Sequence, residues 1–313
     1  MSDRGVPHAV PDHSRSRDAT APPPDDRSAF PLIRPGTPVM VRPGNRVHVG
    51  SDPRRSLVVD LMSPLRADDV AALLRGLTRP RSGADIIRRA ELIGLAAADL
   101  GAILAQLTDA GLAVAAPSPV TPLRIRLHGR GPITDLLSIS LTDAGMAPRR
   151  STRRLSLAAS TDGWTSNLVV LTDYLVHDPS NIKALNAARV PHLQVRVRDG
   201  VGVVGPLVLP GLSSCLRCAD HHRATMEPDW PMLAAQMVEQ RGHAAAGTVR
   251  GTAAIAQVQI EDLAAALGSG TTRPPPQLLN RALEFRPGPA ELVATEWPPH
   301  PLCDCRPAIA RAG

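Results

Sequence analysis

Aromatic residues are scarce in this chain, making up 2% of its 313 residues. Any core must come from Ala, Leu, Val and Ile, and few rings are present on which single-stranded nucleic acid could stack. Lysine occurs once, as Lys183, so the formal charge of +6 rests almost wholly on arginine. The arginines are scattered, with one local cluster at Arg149, Arg150, Arg153 and Arg154. The charge therefore reads as composition bias on a solvated surface rather than as a nucleic-acid footprint. No stretch approaches the ~18–20 uninterrupted apolar residues of a membrane helix. The N-terminus, Met1 to Asp26, carries Asp3, Arg4, Asp12, Arg15, Arg17 and a Pro22-Pro23-Pro24 run. It has no apolar centre of the secretory kind, so the chain is expected to be cytoplasmic with reduced thiols. Cysteine numbers only 4, too few for the disulfide framework of a small secreted domain.

What is present is ample apolar material, 43% of residues, punctuated by 32 Pro and 24 Gly. That excludes a wholly disordered or collagen-like chain, and the length points to two domains. Residues 1–30 read as a disordered tail. From residue 31 the pattern changes. Val39 and Val41, then Val47 and Val49 across Pro43-Gly44-Asn45, read as a β-hairpin, and Leu57 to Val59 as a further strand. Three amphipathic stretches follow, marked by Val70, Leu73, Leu74 and Leu77, by Ile86, Ile87 and Ala90, and by Leu100, Ile103, Leu104 and Leu107. Asp99 is placed to cap the third, which Gly111 closes, and Leu112-Ala113-Val114 reads as a returning strand. A β entry, a helical trio and a returning strand over residues 31–116 match a winged helix-turn-helix.

After a Pro117–Pro122 linker the chain starts again, as a second domain over residues 122–310. Leu123 to Leu127 reads as a strand, His128-Gly129-Arg130-Gly131-Pro132 as a glycine turn, and Ile133 to Leu141 as a helix ended by Gly145. That is the opening of a dinucleotide-type βα unit. Leu168 to Leu171 is an apolar run of the buried parallel kind, with Asp173 at its carboxyl end, where ligands bind in such folds. Asn181 to Ala188 reads as a helix, Leu193 to Val197 as a strand and Gly200 to Leu209 as a hairpin. Met232–Gln240 and Gly251–Leu267 read as Ala-rich helices, and Ala282–Phe285 and Glu291–Thr295 as late strands.

Cysteine placement carries the most chemistry. Cys215-Leu216-Arg217-Cys218 is a CxxC and Cys303-Asp304-Cys305 a CxC, so every cysteine sits in a close pair. Two such knuckles supply the four soft ligands of tetrahedral zinc, with no position left open for catalytic water. The alternative is four buried or redox-active thiols, but a thioredoxin-type site needs a different βα context and leaves Cys303 and Cys305 unexplained. His221, His222 and His300 lie nearby in sequence and read as packing or surface residues. The glycine turn is weaker. A full nucleotide fingerprint would have a third Gly where Thr134 stands and an acid ~20 residues on for a ribose hydroxyl. Ser151 to Ala159 offers Arg153, Arg154 and Ser156 but no Asp or Glu.

The order of a strand-end Asp173, a helix at Asn181, Pro191, Gly202, Gly205, Leu209-Pro210-Gly211 and then Cys215-xx-Cys218 resembles the ThiF/MoeB-type adenylyltransferases, relatives of the ubiquitin-activating enzymes. Cys215-Leu216-Arg217-Cys218-Ala219-Asp220 with Pro228-Asp229-Trp230-Pro231, and His300-Pro301-Leu302-Cys303-Asp304-Cys305, resemble more narrowly the ThiF-like component of cyclodehydratases that make azoline peptides. In that group a winged-helix peptide reader precedes the ThiF-like domain. The fold class implied is α/β: an N-terminal winged helix followed by a Rossmann-like ThiF-type domain with a zinc knuckle.

The resemblance implies a chain that binds the leader of a ribosomally made precursor peptide and presents it to a YcaO-type cyclodehydratase, which holds the ATP chemistry. It also implies ATP and magnesium at Gly129, Gly131 and Asp173, a role the missing acid and third glycine argue against. Asp173 stands either as the magnesium-holding acid or as a cap for the Pro179–Asn181 turn. No cysteine remains for a thioester once zinc holds all four. A homodimer is a further implication. For residues 31–116, a DNA reader would need basic residues on the Asp99–Asp109 helix, which has none. A peptide reader would add an extended leader to the hairpin of Val39, Val41, Val47 and Val49, beside Leu100, Ile103, Leu104 and Leu107. An inert interdomain module is the third reading. No catalytic residue is assigned. The other functions in play are an active adenylyltransferase acting on a carboxyl terminus and a winged-helix DNA-binding regulator.

Overall fold

The computed structural model describes residues 30–79, 81–114, 123–152, 166–268 and 275–305. Residues 1–29, the 117–122 linker and Arg153, Arg154 and Ser156 lie outside them. The chain divides between residues 116 and 117 into two compact units. Among the described residues, no single helix is long and apolar enough to cross a membrane.

Unit 1 begins with β1 (Leu32–Ile33), β2 (Val39–Arg42), β3 (Arg46–Val49) and β4 (Leu57–Asp60). Then come α1 (Ala67–Arg75), a single 3-10 turn, α2 (Gly83–Leu92), α3 (Ala97–Asp109) and β5 (Ala113–Val114). β2, β3 and β4 form an antiparallel meander with β3 central, while β1 pairs with β5. The β2–β3 turn works because Gly44 (φ 81°) and Asn45 (φ 57°) take left-handed conformations open to Gly and Asn. Asn45 has a second task. Its amide donates to the Leu61 and Leu65 carbonyls, and its oxygen accepts from the Ala67 N–H at 2.8 Å. It thereby caps α1, whose own N-cap residue, Arg66, makes no such bond. α3 is entered through Ala96, so Asp99 lies in the first turn rather than at the cap. Val47 and Val49 of β3, Leu74 of α1, Ile86 of α2 and Leu100, Leu104 and Leu107 of α3 make one core.

Unit 2 runs β6 (Ile125–His128), α4 (Pro132–Asp143), β7 (Arg149–Ser151), β8 (Leu168–Thr172), α5 (Pro179–Ala187), β9 (His192–Arg198) and β10 (Val201–Val208). It continues with α6 (Leu216–Met226), α7 (Trp230–Gln236), α8 (Ala246–Gly268), β11 (Arg281–Pro287) and β12 (Ala290–Glu296). These strands build a mixed 7-stranded sheet in the order β12-β11-β10-β9-β8-β6-β7. β7, β6, β8 and β9 are parallel, and β9 to β12 antiparallel. The half with parallel strands and helical crossovers is Rossmann-like. The hairpin expected over Gly200–Leu209 is instead β10 alone, and its hairpin partner is β9, turned through Asp199 and Gly200.

Period-2 alternation sends the side chains of β8 into two cores. Leu168 and Val170 pack with Ile133, Leu137 and Leu141 of α4 and with Ala253, Ala256 and Ile260 of α8. Val169 and Leu171 pack on the opposite face with Ile182 and Leu185 of α5, Leu216 of α6, and Cys215, Cys218 and Cys303. α8 lies so close to β10 that a Cβ on Gly202 would collide with the Thr252 hydroxyl.

Candidate functional site

The four thiols meet in the second core of unit 2. Cys215 occupies the residue before α6 and Cys218 its first turn, where the Cys218 N–H donates to the Cys215 carbonyl at 3.0 Å. Cys303 and Cys305 come from the turn after β12. The ligand atoms of all four lie within 4.8 Å of one another. Sulfur separations are 3.6 Å for Cys215–Cys303, 3.4 Å for Cys218–Cys305 and 3.9 Å for Cys215–Cys218. A tetrahedron with Zn–S bonds of ~2.3 Å has edges of ~3.8 Å, so the donor set fits a zinc ion in both chemistry and spacing. An exposed ion pair between Arg217 and Asp304 at 2.7 Å joins the middle residues of the two knuckles. It holds the Asp304 carboxyl below its usual range.

A dication bound among the four cysteines would hold all four as thiolates. The neighbouring histidines stack on one another, His221 on His300 at 5.0 Å and His222 edge-on to His300 at 4.7 Å. None joins the cysteine cluster.

The glycine turn and Asp173 are brought together, in an arrangement the sequence did not foresee. Asp173 leaves β8 with φ 67° and turns its carboxylate onto the N-terminus of α4. It accepts from the Ile133 and Thr134 N–H groups, both at 3.0 Å, and from the Thr134 hydroxyl. Gly131, the N-cap residue, has no side chain to do this. A Cβ on Gly131 would stand 2.6 Å from the Asp173 carboxylate, and one on Gly129 would collide with the Thr172 carbonyl. The two glycines thus admit the end of β8. In a dinucleotide unit those same N–H groups face a phosphate. The Pro179–Asn181 turn, the other role considered for Asp173, is capped by Asp178, which accepts from the Ser180 N–H at 2.8 Å.

His128 fills the same end of the sheet. Its Nδ1 meets the Ser151 hydroxyl at 3.1 Å and its Nε2 the Asn181 amide at 3.1 Å. With the Asn181 amide donating to Nε2, the proton sits on Nδ1 and is given to Ser151. Burial first, then Arg126, pulls His128 down to about 4.

The residues expected to meet a peptide divide sharply. Val39, Val47, Val49, Leu100, Ile103, Leu104 and Leu107 are buried in the core of unit 1, whereas Val41 is exposed. Those seven side chains pack in the core of unit 1. A β2 edge is also encumbered: Arg75 donates two bonds to the Val39 carbonyl, at 3.0 and 2.8 Å. The opposite edge is β4, half-buried from Leu57 to Val59 and flanked by α3. Leu57 to Val59 was legible as a strand, but its place at the edge depends on pairing order. Also missed were His177, Arg196 and Arg223, which no short motif marks.

No protein-family model matches this chain, and no curated protein sequence does. Solved structures do. A heterocyclase in complex with substrate and cofactor matches with TM-score 0.60 and 15% identity over 89% of this chain and 40% of its own. The heterocyclase TruD matches with TM-score 0.56 and 17% identity over 89% and 43%. Escherichia coli MccB, solved with MccA-N7isoASN, matches with TM-score 0.55 and 10% identity over 88% and 99%. The chain thus spans about two-fifths of the heterocyclases and nearly all of MccB. The fold of this chain is the one shared by these heterocyclases and MccB.

Proposed function

We propose that this chain binds the leader of a ribosomally made peptide and presents it to a YcaO-type cyclodehydratase, with the ATP chemistry on that partner. The observation that carries the reading is the Asp173 carboxylate on the N-terminus of α4. An anion of the chain itself takes the N–H groups and the dipole that a nucleotide phosphate would need, and a phosphate there would meet like charge. The resemblance to heterocyclases in fold supports the peptide half of the proposal.

In this reading unit 1 is a winged helix whose leader site is the β4 edge beside α3, not the β2–β3 hairpin. An extended peptide would complete the sheet with main-chain hydrogen bonds. Unit 2 is the presenting domain, clamped by one zinc on Cys215, Cys218, Cys303 and Cys305. Zinc held by four thiolates has no open position and supplies stability rather than catalysis. Isothermal titration of the full chain with candidate leader peptides tests the proposal. Binding at tens of micromolar or tighter is expected, and its absence with and without the cyclodehydratase overturns it.

The extent of the MccB match favours one second reading, an active adenylyltransferase. ATP–pyrophosphate exchange with magnesium separates the two. The leading proposal expects none, whereas exchange that is lost in Asp173→Ala establishes the second.

A further inference from the structure

In unit 2, three buried side-chain nitrogens have no hydrogen-bond partner and belong to residues that wall one cavity: His177 Nε2, Arg196 Nε and Arg223 Nε. The cavity lies between α6 and β9, with Gln194, Asp220 and Trp230 among the rest of its wall, and measures about 40 Å³. At roughly 10–15 Å³ per water-sized probe that is room for about three heavy atoms, the size of one carboxylate group.

Charge is out of balance there. Asp220 is already used, accepting from Arg223 at 2.9 Å and from the Trp230 indole at 3.1 Å. Glu284 is shared by Arg198 and Arg286. Among the described residues no carboxylate pairs with Arg196, which is 5% exposed and donates only to the Leu175 carbonyl. A buried guanidinium without a counter-charge is destabilising unless a ligand supplies one. Arg223 is pre-positioned, its guanidinium lying 5.2 Å from the Trp230 ring and 4.6 Å from that of Trp297. A carboxylate accepts several such donors at once.

We propose that this pocket binds a carboxylate, held by Arg196 and Arg223. Burial, with Arg223 and Arg198 adding to it, pulls the Arg196 guanidinium down to about 9, a direction that a bound anion reverses. The carboxylate comes either from a small free acid or from a peptide, at its C-terminus or on an acidic side chain. The site is independent of the β4 edge and of the nucleotide question.

The test is titration of the full chain with formate at constant ionic strength, following tryptophan fluorescence and the melting temperature. Two further arms use a short peptide with a free C-terminus and the same peptide as its amide. A saturable one-to-one response to formate, absent with chloride and weakened at least tenfold in Arg196→Met, is expected. Arg223→Met serves where Arg196→Met fails to fold. A response to the free-acid peptide and not to its amide identifies a peptide terminus as the source, and a response to both peptides an acidic side chain. A response to formate alone identifies a free acid. Silence in every arm, or a response unchanged in both variants, overturns the proposal.

Discussion

Asp173 shows how one side chain can decide a site. Removing its carboxylate leaves two N–H groups of α4 unpaired, so Asp173→Ala should cost about 2 kcal/mol in urea unfolding. Asp173→Asn, which keeps an acceptor, should lose less than half of that. The buried histidines set a pH limit. His128 and His192 are both lowered from 6.5 to about 4, chiefly by burial. The fold therefore holds them neutral while the unfolded chain protonates near 6.5. Their contribution is complete above pH 6.5 and is lost as pH falls toward 4, up to roughly 3 kcal/mol for each. His177 is lowered in the same direction, so urea melts across that range should show uptake of about three protons on unfolding. A flat profile would show that these imidazoles reach solvent. Little of this was legible in the sequence. Asp173 could be recognised as a strand-end acid, but not the helix it would cap, because its partners lie 39 and 40 positions away.

The elements themselves were easier to read, because their evidence is local. The three helices of unit 1, strands β2 and β3 and the buried run of β8 follow from apolar spacing and turn residues. Two strands escaped: β1 is two residues long, and β7 (Arg149–Ser151) is polar, recognisable only from its place beside β6. Gly202 read as a hairpin glycine, but its role is to let α8 approach β10. Gly202→Ala should destabilise by about 1–3 kcal/mol through overpacking against the fully buried Thr252. The edges of the small sheet give a second check. Val58→Pro in β4 should weaken leader binding at least tenfold, while Met40→Asp on β2 should leave it within twofold; the reverse pattern would return the site to the hairpin.

At the scale of the molecule, the four cysteines connect chain positions 88 apart, Cys215 and Cys303. All belong to unit 2. Metal analysis should find about one zinc per chain, lost in Cys215→Ser. Chelation should lower the melting transition of unit 2 and leave that of unit 1 unchanged. A chelator without effect on either would mean the thiols are merely buried.

The sequence by itself determined the two close cysteine pairs, the break between units and the βα opening of the second, because spacing and local periodicity carry those properties. Only the tertiary structure decided what the nucleotide turn faces, which sheet edge stays open and that Arg196 is buried without a counter-charge. These depend on which strands pair and which distant side chains arrive together, and hydrophobic patterning leaves that choice open until the chain has folded.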